Sequence, residues 1–172
     1  TPHMAEIQEL CRKHNIFLFE DAAHAHGSSY RGKKAGTFGD SASFSFYPTK
    51  IITSGEGGII VTDSDKMNEE SRLYRDQGKA TFTANIHNKL GYNWRMSEPH
   101  AIIGLQHFRH LPEFIEERNR LARVYDRMLK GVQGVKPLRL AEGSVSNYYK
   151  YIAMLDDRMD RTKLKKVMRE KY

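Results

Sequence analysis

The stretch Ile16-Phe17-Leu18-Phe19-Glu20-Asp21 begins with four apolar residues and ends with two acids. A short, continuous apolar run of this kind predicts a fully buried strand of a parallel sheet, with Asp21 at its carboxyl end. Residues 4–14, immediately before it, carry apolar side chains at helical spacing and predict an amphipathic helix. Strands separated by helices indicate an α/β fold, in which ligands bind beyond the carboxyl ends of the strands.

The remaining elements follow from alternation, capping residues and glycines. Further strands are predicted at residues 41–47, 59–62 and 148–155. Helices are predicted at about 64–77, from 97 onwards, at 112–130, and from 160 or 162 to the end of the chain. The sequence changes in character after Gly131, which predicts a domain boundary near that residue.

Composition narrows the possible partners. The chain has 172 residues, 28 of them basic and 21 acidic, and a formal charge of +7. Basic residues are interleaved with acidic ones in stretches such as 116–120, which favours solvated helix faces over a nucleic-acid surface. No apolar run approaches the ~20 residues that a membrane helix needs, so no membrane contact is expected. The single cysteine, Cys11, excludes an internal disulfide and fits a cytoplasmic protein.

Two residues beyond predicted strands could carry chemistry. A carboxylate at the end of a buried strand is costly unless it has a partner, so Asp21 is either a helix cap or local salt bridge, or the partner of a cationic ligand or ring nitrogen. Lys50 follows the second strand in the segment Ser45-Phe46-Tyr47-Pro48-Thr49-Lys50. Most lysines are solvated, but a lysine held beside apolar groups can form a Schiff base.

The other candidate motifs favour structural interpretations. The segment Gly55-Glu56-Gly57-Gly58 lacks the spacing of a dinucleotide fingerprint or a P-loop and predicts a tight turn. Histidines recur at positions 24 and 26, and at 100, 107 and 110, but no cysteine cluster or carboxylate triad accompanies them, so no metal site is predicted. His24 stays a candidate ligand-binding residue because it lies three residues after Asp21.

Four segments occur in order along the chain. They are Glu20-Asp21-Ala22-Ala23-His24-Ala25-His26-Gly27, Ser45-Phe46-Tyr47-Pro48-Thr49-Lys50, Gly55-Glu56-Gly57-Gly58 and Gly91-Tyr92-Asn93-Trp94-Arg95-Met96-Ser97-Glu98. By their order and spacing, the sequence from about residue 1 to residue 155 resembles the DegT/DnrJ/StrS family of sugar aminotransferases.

The resemblance implies the type I fold of pyridoxal-phosphate enzymes. Residues 1–131 would form part of the large cofactor-binding domain, with part of a mostly parallel central sheet and flanking helices. Residues 132–172 would begin a small C-terminal domain.

The same resemblance assigns five residues to pyridoxal 5′-phosphate. Asp21 matches the aspartate that binds the pyridine nitrogen, and Lys50 matches the lysine that forms the Schiff base. Ser45 matches a serine that holds the cofactor phosphate. Asn93 matches an asparagine that reaches the phosphate of the neighbouring subunit. His24 matches a residue packed against the cofactor ring or its 3′ oxygen.

The resemblance also implies the reaction and the partners. An amino group would pass from an amino acid, glutamate in most of the family, to a nucleotide-linked keto-deoxy sugar. The pathway would make cell-surface polysaccharide or a secondary metabolite. The enzyme would be a homodimer or larger oligomer with a shared active site. The family is about twice this length, so we expect the chain to be a piece of a longer protein and to be inactive alone.

Three alternatives stay open to different degrees. A dehydratase branch of the family replaces the lysine with histidine, and Lys50 argues against it. Another type I enzyme is disfavoured by the segment at residues 91–98. A non-catalytic sensor that keeps the cofactor pocket is disfavoured by the presence of both Asp21 and Lys50. One residue departs from the family pattern, because Ile51 stands where asparagine is usual after the lysine.

Overall fold

The computed structural model describes residues 3–79, 81, 83 and 85–171. The described helices are α1 (Met4–Lys13), α2 (Asp65–Arg75), α3 (Glu98–Arg109), α4 (Leu111–Leu129) and α5 (Arg161–Lys171). The described strands are β1 (Phe19–Asp21), β2 (Ser29–Tyr30), β3 (Lys33–Lys34), β4 (Ser41–Ser45), β5 (Gly58–Thr62), β6 (Val135–Pro137), β7 (Ser144–Val145) and β8 (Ala153–Leu155). The α/β class predicted from the sequence is confirmed. In the described part of the chain, every helix is too short or too polar to span a bilayer.

The sheet that carries the candidate site has the order β1-β4-β5. β1 runs parallel to β4, with Asp21 opposite Ser43, whereas β4 and β5 are antiparallel. The antiparallel pairing follows from the connection, because residues 46–57 form a loop rather than a crossover helix. That loop closes on itself, since the Phe46 amide donates to the Gly57 carbonyl at 2.9 Å and the Ser54 amide donates to the Phe46 carbonyl at 3.1 Å.

The first strand is shorter and more exposed than predicted. Only Phe19–Asp21 is a strand, and the apolar residues before it are about half exposed: 55% for Ile16, 54% for Phe17 and 49% for Phe19. The prediction of a fully buried strand was wrong for this chain. β1 lies at the edge of the described sheet, so its apolar run has sheet on one side only.

Glu20 joins β1 to the turn before β4. Its carboxylate accepts hydrogen bonds from three backbone amides, those of Gly36, Phe38 and Gly39. A carboxylate that accepts several backbone N–H groups forms strong, charge-assisted bonds. Glu20 therefore fixes the segment that leads into β4. From the sequence alone, this residue was apparent only as a neighbour of Asp21.

The core of the described chain is small. Its buried hydrophobic residues are Ala22, Tyr30, Ala42, Ile51, Ile52 and Ala122. Ile51 is 6% exposed and Ile52 is 2% exposed, although both belong to the loop between β4 and β5. The isoleucine at position 51, unusual for the family, thus contributes an apolar anchor where a polar asparagine would need hydrogen-bond partners.

All five predicted helices are present, with ends shifted by a few residues. Ser64 caps α2, because its hydroxyl accepts from the Met67 amide at 3.3 Å. Ser97 stands at the start of α3, but its hydroxyl is paired with His100 Nδ1 at 2.6 Å instead of capping the helix.

The predicted strand at residues 148–155 is mostly wrong. Only Ala153–Leu155 is a strand, and it pairs with β6. Tyr148 has a φ of +46°, a left-handed conformation that cannot continue an extended strand. Just before it, β7 pairs with β2, which returns the chain to the segment that follows Asp21. The domain boundary near residue 131 stays a prediction.

Candidate active site

Asp21 and Ser45 lie at the same edge of the sheet. Asp21 ends β1 opposite Ser43, and Ser45 ends the parallel strand β4 two residues later. The Asp21 Oδ1 atom accepts from the Ala23 amide at 3.1 Å, and Ser45 Oγ accepts from the Tyr47 amide at 3.3 Å. Among the described residues, no lysine, arginine or histidine forms an ion pair with Asp21. Asp21 is exposed. No positive charge in the described part of the chain neutralises its carboxylate.

Lys50 projects from a loop that is fixed on both sides. Its amide donates to the Tyr47 carbonyl at 3.0 Å, and the Thr53 hydroxyl donates to the Phe46 carbonyl at 2.7 Å. The buried Ile51 follows directly. The Lys50 Nζ atom lies 5.4 Å from the centre of the Tyr149 ring, and no carboxylate in the described ranges forms an ion pair with it. This amine is therefore held near an aromatic face without an acidic partner.

His24 meets Lys50 at the same tyrosine. The His24 imidazole stacks on the Tyr149 ring, with centroids 4.2 Å apart and planes inclined by 11°. The structure thus brings His24, three residues after Asp21, to the ring that Lys50 also contacts. Sequence reasoning missed Tyr149, because residues 148–155 carried only a strand pattern. Its run of tyrosines at 148, 149 and 151 was the available signal.

Polar and charged groups surround the Tyr149 hydroxyl. It is paired with Thr49 Oγ1 at 3.3 Å. That hydrogen bond lowers the pKa of Tyr149, partial burial opposes the effect, and the positive charges of Lys50, Lys150 and Arg118 lower the pKa further. The phenol is therefore a stronger acid than a free tyrosine.

His26 is a packing residue beside this site. It is 4% exposed and lies against Phe44 and Phe46, with centroid distances of 5.3 and 5.9 Å. Burial lowers the pKa of His26, although the Ser45 backbone opposes this, and the charges of Lys50 and His24 add to the lowering. In the described part of the chain neither ring nitrogen makes a hydrogen bond of normal geometry. The described residues also form no cluster suited to a metal ion.

Asn93 lies on a different segment from the other four candidates. It forms an isolated antiparallel bridge with Asp76 and is exposed. Its neighbours Tyr92 and Trp94 stack on each other at 4.3 Å, and Arg95 forms an ion pair with Asp76. The segment is thus an ordered, aromatic surface element.

The glycines at residues 55–58 serve close packing. Gly57 has a φ of +144°, and a Cβ atom there would lie 2.4 Å from the Met96 methyl group. A Cβ atom on Gly58 would lie 2.8 Å from the Phe44 carbonyl oxygen. Both observations agree with a tight turn that leads into β5. Two large concavities, one beside β5 and α2 and one beside β6 and β8, include neither Asp21 nor Lys50.

The side chains at this sheet edge fit pyridoxal 5′-phosphate. Its aldehyde needs an amine, its ring nitrogen a carboxylate, and its phosphate hydroxyl or backbone donors. The edge offers an amine on Lys50 without an acidic partner and a carboxylate on Asp21 without a cationic partner among the described residues. Ser45, at the end of the strand parallel to β1, offers a hydroxyl. An amine on the segment after β4 and a carboxylate at the end of β1 are the two groups that this cofactor requires.

Comparison with known proteins agrees with the motifs. Residues 1–172 match the DegT/DnrJ/EryC1/StrS aminotransferase family. The chain is 38% identical over 129 residues to the GDP-perosamine synthase of Escherichia coli O157:H7. The aligned region covers 75% of this chain and 35% of that protein. It is 42% identical over 126 residues to the GDP-perosamine synthase of Caulobacter vibrioides, which covers 73% of this chain and 34% of that protein. The chain thus spans about a third of the length of these relatives.

A solved structure gives the same result. Helicobacter pylori PseC, an aminotransferase involved in the biosynthesis of pseudoaminic acid, superimposes with a TM-score of 0.87 at 31% identity, over 97% of this chain and 45% of that chain. This likeness confirms the type I fold that the motifs implied. The chain belongs to the DegT/DnrJ/EryC1/StrS aminotransferase family.

Proposed function

We propose that the complete protein is a pyridoxal-phosphate-dependent aminotransferase that transfers an amino group from an amino acid to a nucleotide-linked keto-deoxy sugar. The proposed amino donor is glutamate. The observation that carries the proposal is the convergence of Lys50 and His24 on one tyrosine ring, beside the sheet edge that bears Asp21. The names of the relatives support the substrate class, since two of them are GDP-perosamine synthases. We expect the reaction in the cytoplasm.

Each candidate residue has a distinct task in this proposal. The bound cofactor supplies an electron sink for breaking a C–H bond of the amino donor. Asp21 would keep the ring nitrogen protonated, which strengthens that sink. Ser45 would donate to the phosphate, and His24 would pack against the ring or its 3′ oxygen. Lys50 would hold the cofactor through Nζ and, once displaced by the amino donor, would carry a proton as base and then as acid.

The proposed active site is shared between two subunits. Asn93 lies on the exposed segment around Trp94, which is 63% exposed. Its bridge to Asp76 belongs to that segment and not to the contacts of Lys50. An ordered polar side chain on an exposed aromatic surface fits a contribution to a partner's phosphate site. We therefore propose a homodimer in which Asn93 completes the site of the other subunit.

Covalent mapping tests the cofactor assignment. The full-length protein, loaded with pyridoxal 5′-phosphate and reduced with borohydride, should carry the label on Lys50 in a peptide digest. Lys50→Arg should abolish the label and lower kcat at least 10²-fold, because the variant lacks the amine that transfers the proton. Lys66→Arg, on the exposed face of α2, is the matched control and should change neither. Label on another lysine would contradict the assignment.

Substrate assays test the reaction. Glutamate should convert the cofactor of the full-length protein to its amino form, and a panel of GDP-, UDP- and dTDP-linked keto sugars should reverse the conversion. Asp21→Asn should slow the glutamate half-reaction at least 10²-fold while leaving the label on Lys50. Absence of conversion with every donor and sugar would favour a non-catalytic sensor.

A further inference from the structure

Tyr149 joins the two segments that carry His24 and Lys50. Its ring stacks on His24 at 4.2 Å, and the Lys50 Nζ atom lies 5.4 Å from its centre. These three residues are far apart in the sequence. None of the four motifs that indicated the family contains Tyr149.

The backbone that presents this ring is firmly held. The Tyr149 amide donates to Asn147 Oδ1 at 3.0 Å, and Asn147, 3% exposed, donates through Nδ2 to the carbonyls of His24 and His26 at 2.9 Å each. Arg118 on α4 donates to the Tyr148 carbonyl at 3.2 Å. Such contacts fix the left-handed conformation of Tyr148, which an isolated chain would rarely adopt. The position of Tyr149 is thus set by the same loop that carries His24.

The ring and the hydroxyl of Tyr149 act on different neighbours. The ring face attracts the cationic form of an amine, and its flat surface limits the rotation of the His24 imidazole. The hydroxyl is paired with Thr49, the residue before Lys50. A lysine side chain has a flexible four-carbon stem, so its amine adopts many positions unless a neighbour restrains it.

We propose that Tyr149 is a positioning residue of this site, which holds the Lys50 amine and the His24 ring side by side so that Lys50 keeps its orientation whenever it is not bonded to the cofactor. This inference rests on the proposed function. The aromatic ring carries the task, so phenylalanine should replace tyrosine with little loss, whereas leucine should not. A misplaced proton-transfer group commonly costs 10²-fold in rate, which sets the scale of the expected effect.

Lysine reactivity tests the inference without turnover. Full-length protein freed of cofactor is treated with trace acetic anhydride, and mass spectrometry gives the ratio of acetylation at Lys50 to that at Lys66. Tyr149→Leu should raise this ratio about two- to fivefold, the range of an exposed cation–π contact. Tyr149→Phe should leave it unchanged. Tyr125→Leu, at an exposed tyrosine of α4, is the matched control and should also leave it unchanged.

Kinetics of the loaded enzyme complete the test. Tyr149→Leu should lower kcat about 10- to 100-fold with little change in the KM for the nucleotide sugar, and Tyr149→Phe should stay within about threefold of the parent. An unchanged acetylation ratio and unchanged kcat in Tyr149→Leu would overturn the inference while leaving the proposed function intact. Failure of the parent to carry the cofactor on Lys50 would instead overturn the proposed function.

Discussion

Asn147 should be a main determinant of the stability of the candidate site. Its side chain makes three hydrogen bonds, to the carbonyls of His24 and His26 and from the amide of Tyr149, and the residue is 3% exposed. Each bond contributes about 1 kcal/mol net, and a buried partner left unpaired costs about 1–3 kcal/mol. The His26 carbonyl bond is buried and the other two are partly buried. Asn147→Ala should therefore lower the free energy of unfolding by about 3–4 kcal/mol.

Urea denaturation of the full-length protein at fixed concentration measures this loss as a shift in midpoint at constant slope. Asn68→Ala is the matched control. Asn68 is exposed on α2, and within the described chain its side chain accepts one hydrogen bond, from Arg72 Nε, so the change should cost less than about 0.5 kcal/mol. A loss for Asn147→Ala that is no larger than the loss for Asn68→Ala would refute the reasoning, because water would then replace all three bonds at no cost.

Three further stability predictions follow from single contacts. Glu20→Ala should cost about 3 kcal/mol in urea denaturation, because three backbone amides lose a charged acceptor, whereas Glu9→Ala on the exposed face of α1 should cost little. Ser64→Ala should cost about 1 kcal/mol through the lost cap of α2, whereas Ser64→Asp, which keeps a capping oxygen, should cost little, and an equal loss for both variants would contradict that cause. Burial lowers the pKa of His26 from 6.5, so below pH 6.5 the unfolded chain binds a proton that the folded chain does not. As the pH decreases below 6.5, the free energy of unfolding should therefore fall by up to about 1.4 kcal/mol per pH unit. His26→Phe should remove this component from the pH profile of stability.

The predicted burial of the first strand shows where sequence patterns mislead. The run Ile16-Phe17-Leu18-Phe19 is apolar enough for a buried strand, and the prediction of a parallel strand is confirmed by the pairing of β1 with β4. Burial, however, depends on what covers both faces and both edges of a strand. β1 is an edge strand of the described sheet, so three of these side chains are about half exposed. The apolar pattern indicates that the segment can be buried. Whether its side chains are buried depends on the elements that pack around it.

The antiparallel strand β5 illustrates the same limit for topology. Residues 59–62 were predicted as a strand, but periodicity carries no information on direction. The short closed loop at residues 46–57 determines the direction, because it returns the chain beside β4 without a crossover. That loop depends on contacts between residues that no local pattern joins, such as the Phe46 carbonyl with the Ser54 amide.

Residue types at fixed spacing along short segments were enough to indicate the family and the α/β class and to suggest the five candidate residues. Tyr149 and Asn147, in contrast, became apparent from the folded chain. They come from a segment more than a hundred residues after His24 and contact the loop that bears it. Hydrogen bonds and ring contacts between distant segments leave no periodic signal in a single sequence. They arise when β7 pairs with β2 and carries residues 147–149 to the loop that bears His24.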